Sequence, residues 1–150
     1  MSPSKLQQYL HDHMPLSKAM QVSVVSVDKE SVVLRAPLAP NINHCDTVFG
    51  GSASAIAILA AWSLLHTRLS SSGISSRLLI QRNTMDYLHP IAGDFTARAF
   101  IGQPESWSRF VATLTRKGKA RINVTSELEH AGRVAGSLNG EFVALGSLVA

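Results

Sequence analysis

The chain has a single cysteine, Cys45, among its 150 residues. No disulfide can form within it, and a reducing compartment is the expectation. Charge is sparse: charged residues make up 16%, and 14 basic against 10 acidic side chains leave a net charge of +4. With only two Tyr and two Trp beside that mild excess, the basic and aromatic pattern of a nucleic-acid binder is missing. The longest nearly apolar stretch, residues 53–65, falls well short of the ~20 residues that span a bilayer. The opening MSPSKLQQYLHDHM lacks the apolar core of a signal peptide. The histidines at 11, 13, 66, 89 and 130 have no Cys or carboxylate at ligand spacing, so no metal or other cofactor is expected. These absences lead to a cytoplasmic protein with no membrane or nucleic-acid partner.

What is present is 45% hydrophobic residues, enough for one globular domain over 1–150. Residues 4–14 place Leu6, Tyr9, Leu10 and Met14 at helical spacing, with Ser4 as cap and Pro15 as stop. Residues 19–27 and 31–36 read as a hairpin turning at Asp28-Lys29-Glu30. A helix is predicted from about Gly51 to Leu69, ended by Ser70-Ser71-Ser72-Gly73. Strands are predicted at 77–87, 94–101, 108–115, 120–129 and 133–145. This order argues an α+β fold with an antiparallel sheet wrapped around one long central apolar helix. One curled sheet leaves edges uncovered, so a homodimer is the expectation.

The most informative segment is NINHCDTVFGGSASAIAILAAWSLLH, residues 41–66. A polar loop runs into Gly50-Gly51 and then into an uncharged helix that has no solvent face and must be buried nearly all round. Such a loop brings polar side chains and free backbone N–H groups to a helix N-terminus, where an acyl carbonyl or anion can be held. Asn41, Phe49, Gly50, Gly51 and Ser52 form the candidate substrate-binding set. Thr47 either bonds the substrate, orients Asn43 or caps the helix approach. Asn43 by itself reads first as a loop residue bonding its own backbone and only second as an amide donor to a thioester oxygen. Hydrolysis of a thioester needs a base for water, yet residues 50–67 contain no carboxylate. Asp46 is the nearest one. The basic cluster Arg116, Lys117, Lys119 and Arg121 suits an acidic protein or a phosphate; its bland reading is a solvated hairpin turn.

In order along the chain, APLAPNIN (36–43), TVFGGS (47–52), AAWSLL (60–65), DYLHPI (86–91), RKGKARI (116–122) and GEFVAL (140–145) resemble the YiiD C-terminal domain family. That is a hotdog-fold group of thioesterase-like proteins associated with malonyl-acyl-carrier-protein decarboxylase of the MadB type. The resemblance runs from about Leu6 to Leu145. It implies a hotdog dimer with active sites at the subunit interface, malonyl-phosphopantetheine on an acyl carrier protein as substrate, and acetyl-carrier protein as product. It also matches Asn43 to the family's catalytic Asn and implies a form without the acetyltransferase-like domain of some relatives. Decarboxylation fits the missing base, since the enzyme's main task is then to stabilise an enolate with fixed donors. The alternatives are an acyl-CoA or acyl-carrier thioesterase with Asp46 as base, and a non-catalytic acyl-carrier binding module.

Overall fold

The computed structural model describes residues 1–146. Helix α1, Pro3–His13, is capped by the Ser2 side chain, which accepts from the Lys5 N–H. The cap is therefore two residues earlier than expected. Pro15 does not end the helical region but opens a short second helix, α2, Pro15–Ala19, because proline lacks only an N–H that a first helical turn would leave unpaired. The first strand consequently starts at Ser23 rather than at residue 19.

Strands β1 (Ser23–Val27) and β2 (Ser31–Ala36) form the expected antiparallel hairpin. Helix α3 (Gly50–Ser71) follows, then β3 (Ser76–Tyr87) and β4 (Phe95–Phe100). Strands β5 (Lys119–His130) and β6 (Arg133–Gly146) close the described chain. All six strands form one sheet in the order β1-β2-β4-β5-β6-β3, antiparallel throughout.

Residues 108–115 are not a strand. They lie in helix α4, Ser106–Lys117. Trp107, Phe110, Val111 and Leu114 recur at helical spacing and pack on the core, with Phe110 and Leu114 buried. Gly118 ends the helix with φ +75°, a left-handed conformation that glycine adopts at no steric cost. The basic cluster is thus a helix-to-strand junction and not a hairpin turn: Arg116 and Lys117 end α4, while Lys119 and Arg121 begin β5. Arg68 of α3 stacks on the Trp107 ring at 4.1 Å and ties α4 to the end of α3.

Helix α3 crosses the inner face of the sheet. Ile56, Ala57, Ala60, Ala61, Leu64 and Leu65 are fully buried there. Its two buried polar residues are satisfied by bonding back along the helix: Ser63 Oγ donates to Leu59 O and Thr67 Oγ1 to Ser63 O. Ser126 Oγ of β5 donates to Ala57 O at 2.7 Å, pinning the sheet to mid-helix. One stripe is only partly covered. Ala55, Ile58 and Trp62 line an apolar groove of about 290 Å³ with Met14, Leu16, Met20, Ile80 and Phe142.

The two sheet edges are treated differently. At β1, helix α1 supplies partners: Val24 N–H donates to Gln7 Oε1 at 2.9 Å, and just before the strand His11 Nε2 donates to Val22 O at 2.8 Å. At the other end of the sheet, eleven of the twelve residues of β3 pair with β6, and among the described residues no strand pairs with its other side. Leu79 is 56% exposed there. Such an edge is a template for further pairing.

Candidate active site

Helix α3 starts without a side-chain cap. Its first backbone N–H groups, those of Gly50, Gly51 and Ser52, meet no acceptor among the described residues. The residue before them, Phe49, is fixed by its own N–H to Asn41 O at 2.7 Å, and its neighbour Val48 by a bond to Ile91 O at 2.8 Å. An open helix start of this kind carries partial positive charge and unpaired donors together.

Beside it lies a cavity of about 320 Å³, lined by Thr47, Val48, Gly50, Ala53, Tyr87 and His89, with Leu88, Pro90, Ile91, Leu128 and Ala135 completing the wall. Its lining contains no Asp or Glu. Tyr87 and His89, both from DYLHPI, are site residues that the sequence reading did not single out. Tyr87 Oη donates to Gly50 O at 3.3 Å. The signal was their position at the end of a strand, next to the turn that carries Pro90. It became specific only once β3 lay beside the start of α3.

The loop before the helix is organised by Asn43. Its Oδ1 accepts the N–H groups of Cys45 at 2.7 Å and Thr47 at 3.1 Å, and its backbone N–H donates to Thr47 O. Its Nδ2 donates to Thr47 Oγ1 at 2.9 Å and reaches Val48 O only at 3.5 Å. Thr47 therefore accepts from Asn43, which leaves its hydroxyl hydrogen to point elsewhere. Thr47 lines the cavity and Asn43 stands directly behind it.

The other expected residues fall in four places. Asn41 is buried, and its Nδ2 donates to Met20 O and Pro37 O, so it joins α2 to the loop; its Oδ1 has no partner among the described residues. Phe49 is 57% exposed and its ring lies across Gly51, where an added Cβ would come within 2.4 Å of the ring. A Cβ at Gly51 would therefore push the exposed Phe49 ring aside, whereas a Cβ at Gly50 would make ordinary contact with the Tyr87 ring. Asp46 is exposed, sits at φ +63° and lies outside the cavity lining. Arg116, Lys117, Lys119 and Arg121 are at the opposite end of the subunit from this cavity. Among the described residues no three His, Cys, Asp or Glu side chains converge as a metal site would require. No helix among them is long and apolar enough to cross a membrane.

One long helix held in a single curled antiparallel sheet, with an open N-terminus above a polar loop, defines the hotdog class. The fold is shared with solved proteins. A protein of unknown function from Chlorobaculum tepidum is 28% identical, with a TM-score of 0.91 over 97% of this chain and 98% of that one. A "putative thioesterase" from Shewanella oneidensis is 24% identical, with a TM-score of 0.86 over 95% and 96% of the two chains. Within the class, the chain belongs to the YiiD C-terminal family, described as "putative thioesterase", whose model matches residues 3–146.

Proposed function

We propose that the protein acts on acyl thioesters and that its reaction is decarboxylation of a malonyl group carried by an acyl carrier protein, giving the acetyl-carrier thioester that primes fatty acid synthesis. The observation that carries this reading is a cavity at an uncapped helix start that offers hydrogen-bond donors but no carboxylate. In the reaction the bond between the malonyl carboxylate and the α-carbon breaks and CO₂ leaves. The electron pair moves toward the thioester oxygen as an enolate, and a proton then adds to the α-carbon. The Thr47 hydroxyl, held by Asn43, and the N–H groups of Gly50, Gly51 and Ser52 are the donors for that oxygen. The apolar walls formed by Val48, Ile91, Leu128 and Ala135 disfavour the charged carboxylate relative to the delocalised enolate. His89 and Tyr87 are the titratable side chains in the lining and the candidates for the proton.

The family description favours a second reading, hydrolysis, for which Asp46 is the candidate base from the loop. Following CO₂, acetyl thioester and free thiol from malonyl-carrier protein separates the two, and no turnover at all would leave an acyl-carrier binding module. Asp46→Asn should change decarboxylation by no more than a few-fold. Thiol release that dominates in the wild type and falls about 10²–10⁴ in Asp46→Asn would replace decarboxylation by hydrolysis.

We also propose that the working form is a homodimer paired along β3. The unpaired edge of β3 supports it, as does charge. Arg77 and Asp86 stand on one face at opposite ends of β3, beside Leu145 and Ser137 of β6. Antiparallel pairing with a second copy brings Arg77 of each chain toward the partner's Asp86. In this reading Arg116, Lys117, Lys119 and Arg121 dock the carrier protein.

A further inference from the structure

Six of the 14 Lys and Arg side chains gather at one end of the sheet. Arg116 and Lys117 close α4, and Lys119 and Arg121 open β5. Arg109 and Arg121 line a polar cavity of about 590 Å³ between α4 and β5, together with Gln103, Asn123 and Asn139. Arg77 joins the group, because register sets Arg77 beside Leu145 and Leu145 beside Lys119. Residues 106–126 contain no Asp or Glu. Among the described residues the one ion pair within 4 Å is Arg35–Asp94, so this end presents unmatched positive charge. A surface of that kind suits an acidic protein.

Within one subunit this end is far from the candidate active site. Tyr87, hydrogen-bonded to Gly50 at the start of α3, is ten residues along β3 from Arg77. At ~3.3 Å per residue that is about 33 Å. Two-fold pairing along β3 changes the comparison, because the start of one β3 then lies beside the end of the other. Lys119 is two strands in from β3, so it stands three strand spacings, about 14 Å, from the partner's Tyr87. The basic end of one subunit is less than half as far from the partner's site as from its own.

We propose that each subunit docks the carrier protein for its partner: the acidic carrier sits on the α4–β5 junction of one chain and passes its thioester arm to the α3 N-terminus of the other. This rests on the dimer and carrier-thioester reading above. It makes the dimer a requirement for delivery.

Mixed dimers test it without relying on turnover. Cys45 is exposed in the site loop and serves as a reporter. A holo-carrier protein whose phosphopantetheine thiol is activated as a pyridyl disulfide cross-links to Cys45 by thiol exchange. In one mixed dimer, a chain with Cys45 and with Arg116, Lys117, Lys119 and Arg121 changed to Gln is paired with a Cys45→Ser chain that keeps its cations. In the second, the cations stay on the Cys45 chain and its Cys45→Ser partner carries the Gln changes. At low ionic strength the first should cross-link at the unmodified per-site rate and the second about tenfold more slowly. The opposite ranking, or equal rates in both, overturns the proposal. A failure of the decarboxylase reading shows separately, as absence of CO₂ from the wild-type protein.

Discussion

Asn43 and Thr47 act as one unit in the proposed site. Thr47→Val removes the hydroxyl while keeping the side-chain shape, and should lower kcat about 10²–10³, the scale of one oxyanion donor. Asn43→Asp keeps the acceptor for the Cys45 and Thr47 N–H groups, so the loop should hold. It reverses the bond to Thr47, however, whose hydroxyl would then donate to the new carboxylate instead of to substrate. Its kcat should fall to a similar degree with Tm nearly unchanged. The double variant should lose little more than either single one, since residues that act as a unit are not additive. Steady-state kinetics with thermal melts checks all three. From sequence, Asn43 was legible as important only through family resemblance. Its bonds to Cys45 and Thr47 are those any loop Asn makes, and what distinguishes it is the cavity on the far side of Thr47, whose walls come from β3, β5 and β6.

At the scale of elements, α1 and α3 are joined by a stack of rings. Tyr9 stacks on His13 at 4.0 Å and on His66 at 4.7 Å, and His66 stacks on Trp62 at 4.7 Å. Burial, and secondly the charge of His13, push the His66 pKa below its ordinary 6.5. In the unfolded chain His66 binds its proton first as pH falls, so the unfolded state gains protons over the folded one below about 6.5. The stabilising contribution is complete above that pH and is lost as pH drops toward the folded value. His66→Phe keeps a ring in the stack and should flatten the acid side of the stability profile, measured by urea melts between pH 5 and 8. The central helix and most strands were readable because their periodicity and turn residues agree. The segment 108–115 was not, because SRFVATLT mixes β-branched and aromatic residues whose propensity suits a strand. Its helical spacing emerges only when Trp107 is counted with Phe110, Val111 and Leu114, and burial against the core decides the matter. Likewise Pro15 is a stop in one register and a helix start in the next.

For the whole molecule, the proposed pairing leaves a direct mark. Leu79→Lys places a charge at the open edge without disturbing the core, since Leu79 is exposed in the single chain. Light scattering should show the dimer converted to a folded monomer, and activity on a carrier-bound substrate should fall with it. A dimer of undiminished stability in that variant would remove β3 as the interface. The asymmetry between the two edges also fixes how far assembly can run. In the proposed dimer the outer margins of the double-length sheet are the two β1 strands, where Gln7 already takes the Val24 N–H and His11 the Val22 carbonyl just before the strand, which disfavours a second round of pairing. In that dimer a glutamine and a histidine on a small amphipathic helix would favour two chains over many. Without them, every dimer would present two further free edges, and the closed pair would become the repeating unit of a fibre.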